Sequence, residues 1–69
     1  MNDMKIHLEG KVKAWDSKKG FGFITTNLGE YYTHISCTKE HKDLTPGQRV
    51  RFCVESSEYG LIGKHVEVI

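Results

Sequence analysis

The sequence has little of what usually stiffens or anchors a small protein. It contains one proline, Pro46, and two cysteines, Cys37 and Cys53. Two thiols close at most one bridge, which excludes a disulfide framework; with no secretory signal, the expectation is a pair of reduced thiols in a cytoplasmic protein. Long apolar runs are missing as well. The longest is Phe52-Cys53-Val54, against about 20 residues for a membrane span and about 7 to 15 for a signal core. Neither sign of charge dominates, since 10 Lys and Arg face 9 Asp and Glu for a net charge of +1. A polybasic tail and an acidic disordered segment are both excluded, so any anion binding has to be local. A chain of 69 residues buries only about 60% of the surface that it exposes when unfolded. One domain is expected over residues 1–69, with residues 1–4 disordered.

Helical periodicity is also absent. Glycines at 10, 20, 22, 29, 47, 60 and 63 interrupt nearly every window long enough for three helical turns. Alternation with period two takes its place. Leu8, Gly10, Val12 and Ala14 fall on one face of a first strand, with Lys11, Lys13 and Trp15 on the other. After a turn at 17–20, Lys19, Phe21 and Phe23 share one face of a second strand and Gly22 and Ile24 the opposite one. Asn27-Leu28-Gly29 reads as a turn. In the third strand Glu30, Tyr32 and His34 stand on one face and Tyr31, Thr33 and Ile35 behind them. The stretch from Ser36 to Gln48 is polar enough to be expected at the surface throughout. A fourth strand turns Val50, Phe52 and Val54 inward and Arg49, Arg51, Cys53 and Glu55 outward, and a turn from Ser56 to Gly60 leads to a fifth strand ending in Val66 and Val68. Five short strands predict an all-β fold closed into a five-stranded barrel.

Only one parity of each strand fits inside a small barrel. Burying an unpaired charge costs far more than exposing a ring, so the faces that carry Lys11, Lys13, Lys19 and Glu30 must be the outer ones. Strict alternation then puts Trp15, Phe21, Phe23, Tyr32 and His34 on the surface among lysines. Leaving large side chains in water forgoes roughly 1.5 to 3 kcal/mol each, which calls for a ligand on that face. Flat rings flanked by ammonium groups suit single-stranded nucleic acid, whose bases stack and whose phosphates seek positive charge.

The motifs Gly10-Lys11-Val12-Lys13, Lys18-Lys19-Gly20-Phe21-Gly22-Phe23-Ile24, Tyr32-Thr33-His34-Ile35-Ser36 and Leu44-Thr45-Pro46-Gly47-Gln48-Arg49-Val50, in this order, resemble the cold-shock domain family from about Leu8 to Val66. The resemblance implies a five-stranded antiparallel Greek-key barrel of the oligonucleotide-binding class, which binds single-stranded RNA or DNA as a nucleic-acid chaperone. It implies a binding set of Lys13, Trp15, Asp16, Lys19, Phe21, Phe23, Tyr32, His34, His41 and Tyr59. The chain departs from the family pattern at Ala14-Trp15, where Trp-Phe is usual, and strict alternation favours Trp15 as a displaced platform ring. His41, Tyr59, Ile35 and Asp16 also replace the usual residues, which suggests weaker or differently tuned binding.

Other chemistries fare poorly. Cys37 and His41 lack the paired short spacings of structural zinc, so no metal site is expected. Ser36 or Cys37 with His34 has no pocket in which to act as a nucleophile, and no phosphate-cradling loop precedes a helix. The expectation is a binding protein without enzymatic activity, cofactor or membrane association, monomeric or weakly dimeric. The alternative is a protein-interaction or self-associating module that uses the same exposed face.

Overall fold

In the first turn of the chain's β-structure, Asp16 ends a strand by accepting the Lys18 and Lys19 N–H groups on its carboxylate, at 3.0 and 3.1 Å. Gly20, at φ +71°, completes the reversal in a left-handed conformation that a side chain would resist. The computed structural model describes residues 7–58 and 60–69; the disorder expected at residues 1–4 lies outside them. The strands are β1 (His7–Asp16), β2 (Phe21–Thr26), β3 (Gly29–His34), β4 (Arg49–Ser57) and β5 (Gly60–Val68), with one 3₁₀ turn, η1 (Ile35–Cys37), after β3.

The strands close into a barrel in the order β1-β2-β3-β5-β4. β1 is long enough to serve two neighbours: its first half pairs with β4 and its second half with β2. Among the described residues the strands pair antiparallel except at the seam, where β3 and β5 run parallel at Tyr32 and Ile62 and a parallel bridge joins Thr38 to Val66. The expected five-stranded barrel is observed, with this parallel junction closing an otherwise antiparallel sheet. The Thr33 hydroxyl helps to hold the seam by donating to the Gly63 carbonyl at 2.9 Å.

Val12, Ile24, Tyr31, Val50, Phe52 and Val66 fill the interior, with Leu44 capping them from the loop before β4. The alternation in β2 and β3 holds, because Ile24, Tyr31 and Thr33 are buried while Phe23 is exposed. Three expectations fail. The segment 36–48 is not wholly superficial: Thr38 and Leu44 are 5% and 7% exposed. Leu44 is drawn inward because its aliphatic side chain joins the apolar cluster of the interior. Cys53 is also buried although it faces outward, since His7, its partner across the β1–β4 ladder, lies over the thiol at 3.5 Å. The fourth strand also runs further than expected, with Ser56 and Ser57 in β4 and Gly60 already paired to Ser57.

Leu44→Ala should therefore destabilise the protein by about 2 to 5 kcal/mol, as an interior truncation does. Leu28→Ala, at a residue that is 73% exposed, should stay within about 0.5 kcal/mol. Urea unfolding followed by circular dichroism would compare the two.

Candidate nucleic-acid interface

The β2–β3 hairpin sets the register of the outer face. A two-residue loop, Asn27-Leu28, joins Thr26 to Gly29, and the Thr26 hydroxyl locks it by accepting from the Leu28 N–H at 3.0 Å and donating to the Gly29 carbonyl at 2.9 Å. From this anchor Phe23 lies opposite Tyr32, and Phe21 opposite His34. Side chains of directly opposed residues share a face, so the four rings form one block. Phe21 meets Tyr32 at 5.5 Å between ring centres, Phe23 meets Tyr32 at 6.0 Å and Phe21 meets Phe23 at 6.3 Å. Phe23 is 39% exposed and Phe21, Tyr32 and His34 are half-buried. His34 is held at the edge of the block: its Nδ1 accepts from the Ser36 N–H at 3.1 Å and faces the Ser36 hydroxyl at 2.9 Å. That leaves Nε2 to carry the ring proton.

β1 completes the face, although not as alternation predicts. Val12 pairs with Ile24 and Ala14 with Phe23, which leaves Lys13 as an extra residue in a β-bulge. Lys13 and Ala14 consequently both look outward, and beyond them the parity reverses. Trp15 pairs with Gly22 and packs against the interior cluster, and its indole N–H donates to the Asp43 carboxylate at 2.9 Å. Trp15 is thus not a displaced platform ring. The outward place beside Phe23 belongs to Ala14, whose methyl group offers no surface for stacking. Gly22 makes the arrangement possible, since a Cβ there would stand 2.2 Å from the Ala14 carbonyl oxygen and 2.6 Å from the Trp15 ring.

Charge is distributed unevenly around the barrel. Lys13 is tied to Glu30, and Arg49, Arg51, Lys39, Lys42 and Lys64 all have carboxylate partners. Among the described residues, the lysines with no ion pair are Lys11, Lys18 and Lys19, on β1 and the turn that leads to the rings. Of the residues expected to bind, Lys19, Phe21, Phe23, Tyr32 and His34 share this region; Asp16 borders it with one carboxylate oxygen committed to the turn. His41 lies elsewhere, in a groove beside β4 and β5. Tyr59 falls outside the described residues.

The model of the 'Cold-shock' DNA-binding domain matches residues 8–69. The chain belongs to the cold-shock domain family. A cold shock-like protein of Thermotoga maritima is 40% identical over 65 residues, which is 90% of this chain and 98% of that one. The major cold shock protein of Streptococcus pyogenes is 42% identical over 55 residues, 75% of this chain and 82% of that protein. The cold shock-like protein CspI of Escherichia coli is 36% identical over 67 residues, 91% and 96% of the two chains. At the Ala14-Trp15 departure, the bulge turns residue 14 to solvent and packs residue 15 against the interior cluster.

An inward Trp15 makes a prediction about folding. Trp15→Ala should cost about 2 to 3 kcal/mol, somewhat less than the roughly 3 to 5 of a fully buried aromatic. A surface ring would leave the urea midpoint nearly unchanged.

Proposed function

We propose that this cold-shock domain binds single-stranded RNA or DNA in the cytoplasm as a nucleic-acid chaperone, with no reaction catalysed and no cofactor needed. Bases stack on Phe21, Phe23, Tyr32 and His34, while Lys19, Lys11 and Lys18 attract the phosphates. The reading is carried by one observation: the four rings are registered side by side on the solvent face of the sheet whose reverse side forms the core. The rings pack on one another but keep part of their surface in water, where an unpaired base gains a stacking surface. Lys13 contributes by exchanging Glu30 for a phosphate. Such an exposed pair is worth about 0 to 1 kcal/mol, so it is easily given up.

Melting of weak secondary structure then follows from mass action. A protein that holds only the open strand shifts the equilibrium towards it by its difference in affinity for the two states. With each stacked base worth roughly 1 to 3 kcal/mol, three or four rings give an affinity on the order of micromolar after ordering costs. Release is correspondingly fast. Among the described residues no helix is long and apolar enough to cross a membrane.

A fluorescein-labelled thymidylate strand, titrated by anisotropy, tests the reading. Phe21→Ala or Phe23→Ala should weaken binding about 5- to 100-fold and keep the fold; unchanged affinity in both would discard the platform. Ala14→Trp should strengthen binding by a similar factor, because it adds a ring beside Phe23. Affinity should also fall with salt at a log-log slope of about −2 to −3.5, corresponding to three to five neutralised phosphates. Absence of binding together with concentration-dependent self-association, seen by sedimentation, would favour an interaction module instead.

A further inference from the structure

Away from the rings, six cationic or imidazole side chains gather around one groove. A groove of about 520 Å³ crosses the outer face of β4 and β5, between His7 at the start of β1 and the segment formed by η1 and the loop behind it. Lys39, Arg51 and Lys64 line it, together with His7, His41 and His65, and Glu67 is the one carboxylate on its walls. Each cation has a carboxylate within reach: Lys39 with Glu67 at 3.2 Å, Lys64 with Glu55 at 3.9 Å and Arg51 with Glu9 at 4.0 Å. These pairs are exposed, and those of Lys64 and Arg51 are also long, so a phosphate can displace them at little cost.

Backbone strain converges on the same groove. Among the described residues, His41 and His65 are the non-glycine positions with positive φ, both at 54°. Glycine would adopt this conformation freely, and a side chain there is retained at a cost in free energy. For His65 the cause is visible. The β4–β5 ladder runs from Arg51–Glu67 to Cys53–Lys64, so Phe52 opposes two residues and His65 is the extra one of a bulge. Two strained imidazoles from different segments, lining one groove, are a recurrent mark of a binding surface. A metal ion is not the ligand that they fit, since no three His, Cys, Asp or Glu side chains among the described residues could hold one. Ammonium, guanidinium and imidazole donors around a shallow groove instead suit the oxygens of phosphodiesters.

The groove adjoins the ring platform. His34 at the platform edge contacts the Ser36 hydroxyl, and Ser36 lines the groove. We propose that a strand too long for the platform continues over η1 into this groove, where its phosphates meet Lys39, Arg51, Lys64 and the histidines. The platform takes bases, and the groove takes backbone. This inference rests on the platform reading of the preceding section.

The test compares thymidylate strands of about 6 and about 12 nucleotides, within the roughly 4 to 16 that one barrel of this class occupies. The strand is kept in excess, so that each carries at most one protein. Lys39→Gln combined with Lys64→Gln should weaken binding of the longer strand about 3- to 10-fold and lower its salt slope by about 1 to 1.4, while the shorter strand changes less than about twofold. His65→Gly should raise the melting temperature, by relieving the backbone, and still weaken the longer strand. Equal effects on both strands, or none on either, would overturn the groove as a strand path. Failure of the native protein to bind the short strand would overturn the platform reading itself, so the two failures are distinguishable.

Discussion

The register between β2 and β3 is the constraint on which the outer face depends. Because the side-chain period of a strand is two, a slip of one residue would bury Phe21 and Phe23 and expose Ile24. The Asn27-Leu28 loop and the Thr26 hydroxyl hold the pairing from one end. Burial holds it from the other side: Ile24 and Thr33 are wholly enclosed, and Tyr31 packs on Phe52 with 5.5 Å between ring centres. The interior and the ring block are thus two faces of one hairpin, and whatever stabilises the first fixes the geometry of the second.

The bulge at Lys13 changes what β1 contributes to that hairpin. An uninterrupted strand would present Trp15 to solvent. The extra residue turns both Lys13 and Ala14 outward and sends Trp15 over Gly22 to close the barrel near Asp43. The rings that remain on the face come from β2 and β3 alone, so the platform is narrower by one position than the Trp-Phe pattern of the family implies. A second bulge, at His65 in β5, acts on the far side of the barrel. In both cases one inserted residue redirects a side chain that alternation would have placed elsewhere.

With a net charge of +1, the molecule has no long-range field to draw in a polyanion, and its attraction has to be local. Ion pairing sharpens this. The cations of β4, β5 and the loop before β4 are matched by neighbouring carboxylates, whereas Lys11, Lys18 and Lys19 are not. Unmatched positive charge therefore sits where the chain enters the ring face. Under the proposed function, such a layout would leave stacking to supply most of the free energy and charge to supply direction.

Much of the molecule was legible in the residue order. Alternation and turn residues located all five strands, and the charges of Lys19 and Glu30 identified the outer faces of β2 and β3, because an ion's cost of burial acts on each strand separately. Phe21, Phe23, Tyr32 and His34 follow from that alone. Other features needed the folded chain. The bulges at Lys13 and His65 leave no mark in composition, since an extra residue is recognised only against the partner strand it fails to pair with. Trp15 was misplaced for that reason. Leu44 looked like part of a polar loop until the interior cluster took it in, and Cys53 looked exposed until His7 lay across it. What the sequence by itself determined is which residues alternate; which neighbour each one meets was decided only by tertiary structure, because register and closure are properties of pairs of strands and not of any one.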